Sequence, residues 1–171
     1  MSVHLEYSLT AKCRPEHIWK KFEALDQWAW WNKVISRTRW ISGEPWQKGS
    51  RFEMELARPK PMKFKPVIIE SAPPNKVAWV GKGKGVTGEH WFSFELQPDG
   101  STLMKTWEEF SGLTTIFFGN GTRQGIVKMY QEWFEALKFE AERIAREEKA
   151  RSNRPRKRLT GPVTVELTAT L

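Results

Sequence analysis

Cysteine is almost missing from this chain: Cys13 stands alone, which excludes an internal disulfide and any multi-cysteine metal site. Histidine is scarce as well, with His4, His17 and His90 the three present. None of them is spaced from other ligating residues as a metal site requires, so no metal and no cofactor is expected. No apolar run reaches the ~18 residues of a membrane span, so no membrane insertion is expected. Met1-Ser2-Val3-His4 lacks a basic stretch followed by an apolar one. It does not read as a signal peptide, and a cytoplasmic location is the expectation. The segment Gly81-Lys82-Gly83-Lys84-Gly85 has the composition of a phosphate loop but neither the Walker spacing nor a following helix, so it reads as a flexible loop.

Charge and aromatic rings are plentiful. The net charge is +8, which raises the question of nucleic acid. From Lys149 onward six cations stand against Glu166 alone, a net of +5, leaving +3 for residues 1–148. The basicity thus belongs mostly to the end of the chain, and no specific nucleic-acid partner is expected. Ten Trp and ten Phe in 171 residues exceed what a small core ordinarily holds, and such rings also suit a wall that meets a ligand.

The chain opens with an alternating strand over Val3–Ala11. Arg14-Pro15-Glu16 then leads into a short amphipathic helix carrying Ile18, Trp19, Phe22 and Leu25, with proline suited to its first turn. Asp26-Gln27 restarts the chain, and Trp28, Trp30 and Trp31 crowd a second short helix or turn. Strands are expected over Val34–Ile41, Ser50–Leu56, Lys63–Ser71 and Val77–Val80. Pro66 removes a ladder donor and marks an edge or a bulge. A hairpin through Gln97-Pro98-Asp99-Gly100 joins Glu89–Leu96 to Thr102–Phe110. Last comes a long helix over Gly119–Lys149 with Thr122 as its N-cap, its stripe set by Ile126, Tyr130, Trp133, Leu137, Ala141 and Ile144 and widened by Met129 and Phe134. Strands joined by short turns, followed by one long amphipathic helix, make an α+β layer arrangement.

Several pieces in this order resemble the START-like, or Bet v 1-like, superfamily, and within it the group of polyketide cyclase/dehydrase and lipid transport proteins. They are Arg14-Pro15-Glu16-His17-Ile18-Trp19, Leu25-Asp26-Gln27-Trp28-Ala29-Trp30-Trp31, Trp46-Gln47-Lys48-Gly49-Ser50-Arg51-Phe52, Ala72-Pro73-Pro74, the stretch Phe94 to Thr102, and the long helix. The resemblance implies a helix-grip fold. A curved seven-stranded antiparallel sheet would wrap the C-terminal helix, with two short helices between the first two strands. It implies a cavity for an apolar molecule between helix and sheet, and no particular reaction. The domain is expected over residues 1–149. Residues 150–171 are expected to form a flexible basic tail, in which Val163–Leu171 alternates weakly enough to add a strand to a neighbouring edge.

The expected wall is Met54, Ile69, His90, Phe92, Met104 and Thr106 from the sheet and Met129, Trp133 and Leu137 from the helix. His90 and Glu108 are its candidate polar groups, paired across neighbouring strands if both point inward. Arg39 reads as a surface arginine. The function expected is binding of a lipid-, polyketide- or sterol-like molecule, and a homodimer is compatible with it. A cyclase or dehydratase working through His90 and a co-chaperone-like interaction module are the alternatives.

Overall fold

The computed structural model describes residues 2–58, 60–83 and 85–153. Among these residues eight strands and three α-helices are formed: β1 (Ser2–Ala11), α1 (Pro15–Phe22), α2 (Trp28–Trp31), β2 (Ile35–Ser42), β3 (Arg51–Leu56), β4 (Met62–Phe64), β5 (Val67–Ala72), β6 (Lys76–Gly83), β7 (Val86–Leu96), β8 (Thr102–Ser111) and α3 (Asn120–Ser152). Short 3-10 turns at Leu25–Gln27 and Leu113–Phe117 precede α2 and α3. The strands form one antiparallel sheet in the order β1-β8-β7-β6-β5-β3-β2, with β4 paired to β3 off that path. The expected seven-strand path is therefore present, with one extra short strand.

That extra strand comes from Pro66. The run expected as a single strand over Lys63–Ser71 is split, because proline has no N–H to continue the ladder. Its first part pairs with β3, Met54 opposite Phe64, and its second part pairs with β6. The glycine-rich segment is also more regular than expected. Gly81 and Gly83 lie in β6 and Gly88 in β7, with Gly83 paired to Val86.

α3 begins at Asn120, with Gly119 as N-cap and no side-chain cap bond, so Thr122 sits inside the first turn rather than at the cap. The helix continues past Lys149 to Ser152. The basic run beyond Asn153 and the strand expected over Val163–Leu171 lie outside the described residues. At ~1.5 Å per residue α3 is about 50 Å long. Its apolar stripe buries Met129, Tyr130, Trp133, Phe134, Leu137 and Ala141 against the sheet. Lys12 N–H donates to Glu142 (2.7 Å) and Lys21 pairs with Glu140 (3.3 Å), tying the far half of α3 to β1 and α1.

The Trp-rich segment between β1 and β2 closes one end of the space under the helix. Trp28 is fully buried and its indole N–H donates to the Phe22 carbonyl at 2.7 Å. Trp46, on the β2–β3 connection, donates to the Glu23 carbonyl at 2.9 Å and takes a positive φ of 60°, a conformation that a bulky residue adopts only when its surroundings hold it there. Phe22, Trp28, Trp46, Phe52, Trp79, Phe92 and Trp133 then meet one another in tilted and edge-on pairs, with Trp79–Phe92 at 4.7 Å and Trp28–Trp133 at 5.1 Å between ring centres. Such pairs contribute about 0.5–1.5 kcal/mol each beyond their buried area. The aromatic excess is thus largely spent on filling this half of the helix–sheet interface.

Candidate functional site

One group of polar side chains is embedded in this aromatic interface. On β7, Gly88, His90, Phe92 and Phe94 point under the helix. On β8, Met104, Thr106 and Glu108 do the same, with His90 directly opposite Glu108 and Phe92 opposite Thr106. The period of two along each strand, set by the hairpin at Gln97–Gly100, places these groups on one face. His90 is 4% exposed. Its Nε2 is hydrogen-bonded to the Thr106 hydroxyl at 2.7 Å. Its Nδ1 faces Glu108 Oε2 at 3.7 Å, too far for a direct hydrogen bond.

α3 completes the group. The Tyr130 hydroxyl donates to Glu108 Oε2 at 2.7 Å, and the Tyr130 ring lies 5.1 Å from the His90 ring. Beside them the Trp133 indole nitrogen is buried with no hydrogen-bond partner, and its ring stands edge-on to His90 at 6.1 Å. An unpartnered buried N–H is costly and calls for an acceptor. Space for the Glu108 carboxyl is left by Gly88, because a Cβ there would collide with Glu108 Oε1.

Burial sets the protonation of the group. It pushes His90 down to about 3, so the imidazole is neutral at ordinary pH. It pushes Glu108 up to about 7, with the Tyr130 hydroxyl pulling the other way. Tyr130 is raised well above its ordinary value, by burial first and by the neighbouring carboxylate second, and stays a donor. Among the described residues no Lys or Arg pairs with Glu108. Near neutrality the site thus offers a half-protonated acid, a neutral base, a phenol and a free indole N–H.

The other expected wall residues fall into two sets. Phe92 and Trp133 are 5.5 Å apart between ring centres and adjoin the polar group. Met104 pairs with Phe94 two steps further along the hairpin, and Leu137 lies two turns beyond Tyr130, so both belong to the closed, ring-filled half. Met54 and Met129 are buried on β3 and α3. Ile69 does not reach the core. Ile68 pairs with Trp79 and Glu70 with Ala78, so Ile69 is the extra residue of a bulge; Ile68, 1% exposed, takes the inward position. Arg39 is on the outer face, held by Glu53 at 3.0 Å. Cys13 is buried and its thiol pushed up to about 11, which keeps it unreactive. Two outer grooves, of about 390 and 590 Å³, are lined from Thr10 to Leu103 and from Pro45 to Pro73, and neither includes His90 or Glu108.

Tyr130 and Gly88 are the functional candidates that reading for chemistry overlooked. Tyr130 was visible as a stripe member three residues before Trp133, and Gly88 as the inward position preceding His90 in the alternation.

The sequence profile of polyketide cyclase / dehydrase and lipid transport proteins matches residues 2–142. The chain belongs to this family. No curated protein sequence matches it. Among solved structures, a START superfamily protein from Mycobacterium smegmatis is 12% identical, with 82% of this chain and 98% of that one covered and a TM-score of 0.69. The Zhui aromatase/cyclase from Streptomyces sp. R1128 is 11% identical, with 85% and 96% covered and a TM-score of 0.69. The di-domain aromatase/cyclase StfQ of the steffimycin biosynthetic pathway is 15% identical, with 85% and 52% covered and a TM-score of 0.71. At these identities the likeness carries the fold, which is the helix-grip of the START superfamily, and no residue role. No described helix of this family member is long and apolar enough to cross a membrane.

Proposed function

We propose that this member of the polyketide cyclase/dehydrase and lipid transport family binds an apolar, lipid-, polyketide- or sterol-like molecule between α3 and the sheet. The molecule's polar group would be held by His90, Thr106, Glu108 and Tyr130. One observation carries the reading: a buried histidine faces a buried carboxyl in an interface otherwise filled by rings. A core built only for stability has no use for that pair, since burying such groups costs several kcal/mol that apolar side chains of like size would not. The unpartnered Trp133 N–H marks a place for an acceptor on the ligand. The ligand would enter where α3 begins. There Phe118 meets Phe110 at 5.2 Å between ring centres, Met62, Phe64, Ile126 and Val127 are half-buried, and Glu108 keeps 15% of its side-chain surface.

The rival is a cyclase or dehydratase using the same pocket. Its support is the protonation of the group: an acid of about 7 beside a neutral imidazole is suited to moving a proton in either direction near neutral pH. The interaction-module alternative needs a contiguous apolar patch. Among the described residues the exposed large apolar side chains, Trp30, Ile41, Leu96, Leu113 and Phe139, are spread over five different elements.

Titration with Nile red, a neutral apolar fluorophore, tests the pocket. Saturable binding at micromolar levels, changed in Trp133→Phe and retained in His90→Ala, is the expected result for a carrier. An enzyme would keep binding in His90→Ala and lose turnover. A folded protein that takes up no probe would remove both readings.

A further inference from the structure

The end of the sheet at which α3 begins differs in charge from the opposite end. Arg51, Val67 and Val80 lie in one row of the sheet. From that row β3 runs on to Leu56 and β6 to Gly83, while Thr87 pairs with Ser111. Ala57 N–H donates to the Val34 carbonyl at 2.8 Å and Thr114 N–H to the Gly85 carbonyl at 3.3 Å. The start of β2, the β3–β4 and β6–β7 connections, the turn Leu113–Phe117 and the start of α3 therefore share one end of the molecule, the end nearer to His90 and Glu108.

Lys33, Lys60, Lys65, Lys82, Arg123 and Lys128 are exposed there, and none of them forms an ion pair among the described residues. The carboxylates at this end are mostly committed. Glu53 and Glu55 pair with Lys63, Glu132 with Arg58, and Glu109 with His4, which leaves Glu89. At the opposite end the strands and their connections carry Lys12, Arg14, Lys48 and Lys76 with Glu16, Glu44, Glu70 and Asp99 in even balance, and the far end of α3 adds the exposed Arg146, Lys149 and Arg151. The cation-rich end also carries an exposed apolar residue, Leu113, 85% exposed in its turn, and Trp30, 79% exposed, lies on the short helix that leads into Lys33.

We propose that this end of the molecule docks on an anionic membrane surface, with its lysines and Arg123 against the headgroups and Leu113 in the interfacial layer. Juxtaposed cations and exposed apolar side chains are what such a surface accepts, each cation adding to a sum that salt screens. A nucleic acid offers charge but no apolar layer for Leu113. An acidic protein would have to reach cations standing on three separate connections, on β6 and on α3. The contact is peripheral, since no described helix is a span. It would set the mouth of the candidate site against the phase in which apolar molecules dissolve, and it stands whether or not a ligand is found.

The test is co-sedimentation of the full chain with vesicles of phosphatidylcholine alone and of phosphatidylcholine with about 30% phosphatidylserine. Binding to the anionic vesicles only is expected, lost at high salt. Lys60→Glu with Lys82→Glu should weaken it about 30-fold, whereas Lys12→Glu with Lys48→Glu, an equal change of net charge at the opposite end, should weaken it no more than about threefold. Leu113→Glu should weaken it as well. No binding to anionic vesicles overturns the proposal. So does an equal loss in the two paired variants, which would assign the binding to overall charge. Rim-dependent binding to duplex DNA or to an acidic protein, without binding to vesicles, would also refute it.

Discussion

Replacing Glu108 by Gln removes one ionisable group and keeps its shape, and its effect on stability follows from the burial of the carboxyl. In the folded chain Glu108 holds its proton up to about 7, against 4.5 for an unperturbed group. The folded state therefore binds more protons than the unfolded state in that window, and stability falls as pH rises through it. At about 1.4 kcal/mol per pK unit the full loss is roughly 3 kcal/mol. His90 works in the opposite sense. It is pushed down to about 3 from 6.5, so the unfolded state binds more protons between those values and stability rises with pH there. The two slopes oppose each other in the parent protein, which would hide both in a simple pH profile. In the difference between Glu108→Gln and the parent, the His90 slope is common and drops out. Urea unfolding of both proteins should therefore show the stability of the variant, relative to the parent, rising by roughly 2–3 kcal/mol between about pH 5 and about pH 8. A difference that stays flat within about 0.5 kcal/mol would show that Glu108 titrates as an ordinary carboxyl and that the site is not desolvated.

Tyr130→Phe removes the hydroxyl that donates to Glu108, so it should lower stability by about 1–2 kcal/mol, more at alkaline pH than at acid pH, as read by the same unfolding experiment. Gly88→Ala places a methyl on Glu108 Oε1 and should cost about 1–3 kcal/mol. Combining it with Glu108→Ala should recover much of that cost, and a double-mutant cycle without coupling would contradict the contact. Trp133→Ala should cost about 3–5 kcal/mol because its ring fills the interface between Trp28, Trp79 and Phe92, whereas Trp133→Phe should cost far less in thermal or chemical unfolding.

Much of this site can be read in the sequence where one simple period governs. Alternation along Gly88–Phe94 and Met104–Glu108 puts His90 and Glu108 on the inner face, and the hairpin at Gln97–Gly100 sets them opposite each other. The helical repeat puts Tyr130, Trp133 and Leu137 on one stripe. Irregularities defeat the same reasoning. The bulge at Ile69 exchanges it with Ile68, and Pro66 cuts one expected strand into β4 and β5. Contacts between rings far apart in sequence have no period at all. That Trp46 should fold back to Glu23 and meet Phe22, Trp28 and Trp40 depends on a loop conformation with positive φ that a tryptophan does not advertise. Tyr130 was visible as an apolar stripe member, but its hydroxyl partner is decided by how far along the sheet α3 settles.

The most direct test of the site is nitrogen-15 NMR of the three histidine rings during a titration with Nile red. His4 lies on the surface with Glu109, His17 is half-buried beside Glu148, and His90 lies inside with Thr106 and Glu108, so the first two serve as controls for the third. The His90 ring nitrogens should shift saturably, in step with the fluorescence, while those of His4 and His17 stay where they are. Probe binding that leaves His90 unmoved would contradict a site at His90.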